Sequence, residues 1–304
     1  MSQLKTETQL PQTIVTGSAG VMKTVNSVSG GKTSAYLTKH YPSDIDLFSL
    51  VRVEDTANLW MKGKDEKTRQ IVSDKLGVEF IGTAEMDEII YTILDLEQFT
   101  GNKITWITGE TFEQVIKNHG NYLPNMMSRY CTTDMKIIPM FNWLKNNTEL
   151  PVIMNLGLRP NELNRKKNIM ERANENGLEM FKCVIGRNAK DTQNKWGEIA
   201  YRYAKFPLID NNVQKDTIYN YWQNKPVRFA YRNNCVGCVN RNPLFLSHIA
   251  KKDIDTFNWF VRQEEKTGNQ FNSQASYKSV LKFGIQNELF DDDFNECDSG
   301  YCGI

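Results

Sequence analysis

A chain of 304 residues with 40% hydrophobic content is long enough to bury one large core, or one core and a small appended domain. Its 37 basic residues nearly cancel its 36 acidic ones, so no global field marks it for nucleic acid, and only a local patch stays open. No window holds about 18 uncharged apolar residues, and the first residues lack the apolar centre of a signal peptide, so a soluble, cytoplasmic protein with no membrane partner is expected.

Residues 1–21 are polar and aperiodic and read as an N-terminal extension. Lys23 to Val28 reads as the first strand and Lys32 to His40 as the first helix, joined by Ser29-Gly-Gly-Lys-Thr-Ser34. Gly30 and Gly31 permit positive φ and close backbone approach to an oxyanion, while the first N–H groups of the following helix point at the ligand. Lys32 adds a mobile positive charge, and Ser29, Thr33 and Ser34 add hydroxyls. The common P-loop is excluded, because its first glycine would fall at Asn26. Ile45 to Val51 reads as a buried parallel strand, Asp65 to Gly77 as an amphipathic helix stopped by glycine, Val78 to Ile81 as a strand, Met86 to Phe99 as a helix and Ile104 to Ile107 as a strand. This alternation predicts an α/β fold, a parallel sheet with helices on both faces and ligands at the carboxyl ends of the strands.

Glu110 to His119 continues the pattern as a helix. Arg129-Tyr-Cys-Thr-Thr-Asp-Met-Lys136-Ile-Ile-Pro139 follows, in which Arg129 and Lys136 are either contacts for phosphate or sulfate oxygens or solvated charges. Pro151 to Gly157 reads as another strand, with Arg159 just past its end and Arg165, Lys166 and Lys167 beyond it. Helical patterns from Leu244 to Gln263 and from Ser276 to Gly284 predict a mostly helical C-terminal part packed over the open end of the sheet.

The six cysteines do not look like a disulfide framework, which belongs to short secreted domains. Cys183 stands alone in an apolar strand-like run and is expected to pack in the core. Cys235-Val-Gly-Cys238 admits iron–sulfur ligation, structural zinc or a redox dithiol. Zinc would require further ligands from a second cluster, and the sequence has no second CxxC or CxxH.

The loop Ser29 to Ser34 resembles the Ser-Gly-Gly-x-Asp-Ser pyrophosphate loop of the PP-loop ATP pyrophosphatases and the phosphoadenosine phosphosulfate (PAPS) reductase superfamily, with Thr33 in place of the aspartate. The segment with Arg129, Cys131, Lys136 and Pro139 is similar to that superfamily's Arg-x-Cys, Lys, Pro run. Gly157, Arg159 and Glu162 resemble its Gly-x-Arg-x-x-Glu-Ser, with Leu163 replacing the serine, and Pro207-Leu-Ile-Asp210 and the CxxC follow in superfamily order. The resemblance implies an adenine nucleotide alpha hydrolase-like domain over residues 22–230 and a cysteine-containing helical region over 231–304. It implies ATP, with Mg²⁺, held by Ser29, Gly30, Gly31, Lys32, Thr33, Ser34, Arg129, Lys136, Gly157 and Arg159, with Lys32 acting in catalysis. The implied reaction is adenylation with pyrophosphate release, coupled to sulfur transfer to a nucleic acid. Cys131, Cys235 and Cys238, either leaving one iron open or joined by a fourth ligand from Cys297, Cys302 or Cys183, would hold a [4Fe–4S] cluster, zinc being the alternative. Two other readings stay open. In one, a sulfonucleotide (PAPS or APS) reductase uses Cys302, in Gly300-Tyr-Cys-Gly-Ile304, as nucleophile and a thioredoxin-like protein as reductant. In the other, the chain binds a nucleotide without turnover.

Overall fold

Short apolar strands separated by helices assemble into one six-stranded sheet. The computed structural model describes residues 21–282 apart from residue 59 and residues 189–191. Nearly all of the N-terminal extension, together with Cys297 and Cys302, lies outside the described residues. The strands are β1 (Thr24–Val28), β2 (Ile45–Leu50), β3 (Arg52–Val53), β4 (Gly82–Thr83), β5 (Ile104–Thr108), β6 (Val152–Asn155), β7 (Leu178–Arg187) and β8 (Asn194–Lys205). The sheet order is β5-β2-β1-β6-β8-β7, parallel except for β7, which runs antiparallel to β8. The chain therefore builds outward from β1 through β2 to β5, then returns to lay β6 and β8 on the other side. That reversal opens a crevice outside the carboxyl ends of β1 and β6, where α/β sheets receive ligands.

Strand side chains alternate between the two faces, and helices cover both. On one face Val28, Phe48 and Leu50 meet Leu37, Val72, Ile89 and Ile93 of the helices Lys32–His40, Glu66–Leu76 and Glu88–Thr100. On the other, Val25, Leu47 and Met154 meet Met140, Phe141 and Leu144 of the helix Ile138–Asn147. Each large apolar side chain buried this way contributes about 1.5–3 kcal/mol. A third cluster joins Leu246, Phe257, Phe260 and Tyr277 of the C-terminal helices to Val51 and Val53, which directly follow the carboxyl end of β2. The helical C-terminal part thus sits at the open end of the sheet, as the sequence predicts.

Two local expectations change, and one strand is added. The stretch 78–81 is not a strand: Phe80 turns into the core and its N–H is taken by Ser73 Oγ, so only Gly82–Thr83 pairs, antiparallel with β3. The long helical pattern from Leu244 breaks into Pro243–Lys252 and Ile254–Thr267, because the Asp253 carboxylate accepts from Thr256 N–H and starts a new helix. The apolar run around Cys183 is one arm of the β7–β8 hairpin, and β8 is a second long strand that its charged residues obscure in the sequence.

Asp253 also sets a pH dependence. Burial, with help from the nearby Asp87, pushes its carboxyl from 3.8 up to about 6. The folded state therefore binds more protons than the unfolded chain between those values, and stability falls as pH rises through about 4 to 6. Asp253→Asn keeps an acceptor for Thr256 N–H and removes the buried charge. It is expected to raise Tm at pH 7.5 by about 2–4 °C and to flatten the slope between pH 4 and 6. A lowered Tm at pH 7.5 would contradict this account.

Candidate functional site

The turn after β1 requires both of its glycines. Gly30 adopts φ of 77°, and a Cβ there would stand 2.7 Å from Ile89 Cγ2. At Gly31 a Cβ would meet Asn233 Nδ2 at 2.4 Å, so the amide of Asn233 lies directly on the turn. The Ser34 hydroxyl accepts from Ser29 N–H at 3.1 Å and donates to the Gly31 carbonyl at 3.0 Å, drawing the turn closed. Gly31 caps the helix Lys32–His40 without a side chain, so the first helical N–H groups keep their partial positive charge for a ligand.

A cleft of about 950 Å³, open to solvent, lies at this turn. Ser29, Thr33 and Ser34 line it from the turn, Ser49 from β2, and Gly157 and Arg159 from the segment after β6. A Cβ on Gly157 would come within 3.5 Å of Ser34 Cα, so the chain leaving β6 rests against the turn. Lys136, Arg159, Arg165 and Arg202 line the same cleft, against the one lining carboxylate of Glu162.

Carboxylates hold these cations in place. Glu162 bonds Arg159 Nε and Arg165 Nη1, both at 3.2 Å, and accepts from Arg159 N–H at 2.9 Å. Lys136 Nζ meets the buried Glu85 at 2.8 Å, and Arg202, only 1% exposed, meets Glu179 at 2.7 Å. Lys136 enters the cleft from a π turn, Thr133–Ile137, inside the helical run 130–147. Ser49 Oγ donates to the Met135 carbonyl of that turn at 3.0 Å, which ties it to β2. A phosphate oxygen about 4 Å from one such cation gains about 4 kcal/mol of Coulomb energy at an effective dielectric constant near 20, before desolvation.

The structure brings Ser29, Thr33, Ser34, Lys136, Gly157 and Arg159 together, as the sequence reading requires, with Gly30 and Gly31 forming the turn beneath them. Two expected ligand contacts lie elsewhere. The Lys32 side chain leaves the other side of the helix, its ammonium 3.9 Å from the centre of the Tyr219 ring, while Trp222 Nε1 donates to the Lys32 carbonyl. Its side chain does not line the cleft. Arg129 lies at a neighbouring pocket, where Asn240, with its amide oxygen turned inward, accepts from Arg129 Nε and Nη2 at 3.0 and 3.1 Å. Arg202 and Asn233 were missed. Arg202 hides between two tyrosines in a strand, where an isolated charge among buried residues was the only signal.

The neighbouring pocket, about 520 Å³, is lined by Cys131, Cys235 and Cys238 and shares Lys136 and Asn234 with the cleft. Cys183 is not part of it: it sits on β7, half-buried against the Phe141 cluster, in keeping with a packing role. Burial pushes the Cys131 thiol up to about 11, with Cys238 adding to it, and pushes the Cys235 thiol well above its usual value, with the Glu85 carboxylate and then the neighbouring thiols adding to it. The donor chemistry of three thiols suits a soft metal or an iron–sulfur cluster. Among the described residues no three His, Cys, Asp or Glu side chains converge closely enough to hold a single metal ion. In metal-free protein Cys131 and Cys235 are expected to react with iodoacetamide at pH 7.5 more slowly than a free cysteine, for Cys131 by about two orders of magnitude, as peptide mapping would measure. Alkylation at the free-cysteine rate would contradict the burial argument.

Among the described residues no helix is long and apolar enough to cross a membrane. Compared with profiles of known families, with curated proteins and with solved structures, the chain gives no match.

Proposed function

We propose that the chain is an adenine-nucleotide enzyme of the PP-loop and PAPS reductase kind, with an adenine nucleotide alpha hydrolase-like fold, that adenylates a substrate with release of pyrophosphate and couples this to sulfur transfer. The observation that carries the reading is the meeting of the Gly30–Gly31 turn with Lys136, Arg159 and Arg202 in one cleft at the crevice between β1 and β6. A glycine turn feeding an uncapped helix start suits two phosphates of ATP, and fixed cations favour the charge that collects on pyrophosphate as it leaves. Lys136 and the arginines take the part that the sequence assigned to Lys32. Thr33 leaves the turn without a carboxylate, so a Mg²⁺ ion would be held by the nucleotide's own phosphates and by water.

The thiol pocket supports the sulfur half of the reading by position, because it adjoins the nucleotide cleft through Lys136 and Asn234. An iron–sulfur or zinc centre there would need the three thiolates to be drawn together.

Incubation of the full-length protein with ATP and Mg²⁺ tests the proposal, with pyrophosphate release as the expected result. Sulfite release from PAPS or APS with thioredoxin, lost in Cys302→Ser, would replace it with the reductase reading. Stoichiometric nucleotide binding with neither product would reduce the chain to a binding module.

A further inference from the structure

The long strand β8 carries a bulge where it meets the cleft. Glu179 of β7 pairs with Arg202 and Met180 with Ala200, so Tyr201 is an extra residue on β8. Strict alternation would send neighbouring side chains to opposite faces, yet Tyr201 and Arg202 both line the cleft. The bulge thus turns both toward the face on which Met140 and Leu158 pack.

Tyr201 and Arg202 are each only 1% exposed, and each keeps a polar group open. The Tyr201 ring packs edge-to-face against Phe141 and Phe181. Its hydroxyl makes no hydrogen bond among the described residues and is not sealed from the cleft. Arg202 Nε bonds Glu179 at 2.7 Å and Nη1 faces Met154 Sδ at 2.9 Å, which leaves Nη2 without a partner among the described residues. Glu179 is shared with Arg172 at 3.3 Å, so one carboxylate answers two cations and one positive charge is left over.

A buried phenol and a buried guanidinium edge are ordinarily hydrogen-bonded. Two donors and one surplus positive charge suit an acceptor-only group with a single negative charge, which is a carboxylate. A phosphate, with close to two charges and three open oxygens, would be left under-satisfied. Met140 and Leu158 are buried beside the pair and offer an apolar wall for a stem. Burial this deep admits a small molecule and excludes a polymer backbone.

This floor is set back from the glycine turn. Arg202 stands beside Val152, and Gly157, which rests against the turn, comes five positions later. That is about 16 Å of extended chain, more than an arginine side chain spans. Phosphates on the turn and a carboxylate on Arg202 therefore occupy different ends of the cleft.

We propose that the floor of the cleft binds a small monocarboxylate with an apolar stem, Arg202 and Tyr201 holding the carboxylate and Met140 and Leu158 the stem. The assignment rests on the adenylation reading for its purpose, naming the class of the acceptor, and on the floor alone for its chemistry. The acid is the acceptor's handle, and its reacting end points toward the turn.

Isothermal titration of pentanoate, benzoate, the neutral pentanamide and inorganic sulfate into the full-length protein, without nucleotide, tests the assignment. One site per chain is expected for pentanoate or benzoate, and none for pentanamide. Tyr201→Phe should weaken carboxylate binding by about tenfold, and it should not lower the Tm of the ligand-free protein, because the hydroxyl it removes has no partner among the described residues. Arg202→Lys keeps a cation for Glu179 but loses the second N–H edge, and should weaken binding by about tenfold or more. Absence of carboxylate binding, binding that Tyr201→Phe leaves unchanged, equal binding of pentanamide, sulfate bound more tightly than either carboxylate, or a Tm lowered by Tyr201→Phe would each overturn the assignment. Carboxylate binding that depends on Tyr201 in protein that binds no ATP would keep the floor assignment and sink the enzymatic reading. ATP binding without a carboxylate site would do the reverse.

Discussion

Lys136→Met is expected to destabilise the protein by about 3–5 kcal/mol at neutral pH, the cost of leaving a buried carboxylate without its partner. Glu85 is 1% exposed, and among the described residues its one ionic contact is Lys136 Nζ at 2.8 Å while its other oxygen accepts a 3.3 Å hydrogen bond from Val51 N–H. Methionine preserves the aliphatic stem, so packing is not what changes. Glu85→Gln combined with Lys136→Met removes both charges and should recover most of the loss. A urea melt of the three variants measures this, and a single Lys136→Met variant within about 1 kcal/mol of the parent would rule out the buried pair. The same substitution takes a cation from the cleft, so nucleotide affinity should fall in the double variant even where stability is restored.

The second large effect is expected at Gly30. Alanine there meets two obstacles, a backbone at φ of 77° and Ile89 Cγ2 at 2.7 Å, so the turn cannot keep its shape. Stability should fall by about 1–3 kcal/mol and nucleotide affinity by about tenfold or more. Gly77→Ala is the control: it ends the helix Glu66–Leu76 at φ of 68° with nothing within 4 Å of the added methyl. It carries the backbone strain alone and should leave nucleotide binding unchanged. Equal effects of the two substitutions on binding would mean that the Gly30 turn does not hold the ligand.

Much of the nucleotide half was legible because it rests on local rules. Strand, glycine turn and helix follow one another within 17 residues, from Thr24 to His40, and the apolar strands β2 and β5 announce themselves by their composition. Gly157 and Arg159 were legible as a strand end, which in a parallel sheet is where ligands lie. What was not legible depends on the direction of a side chain or on distant pairing. The direction of Lys32 is set by the helix Lys215–Trp222, about 190 residues away, whose Tyr219 ring holds the ammonium away from the cleft. Arg202 joins the cleft only because β8 pairs with β6, and the β7–β8 ribbon alternates too irregularly, with bulges near Met180 and Gly186, to read as two strands. The three thiols share a pocket, but their failure to converge on a metal site could not be read from their spacing.

Nucleotide binding at the cleft is the claim on which the rest depends, and isothermal titration of ATP into the full-length protein tests it most directly. One site per chain is predicted, weakened about tenfold or more by Gly30→Ala and by Arg159→Ala and unchanged by Gly77→Ala. Absence of binding to ATP, PAPS and APS alike, or binding indifferent to Gly30→Ala, would contradict it.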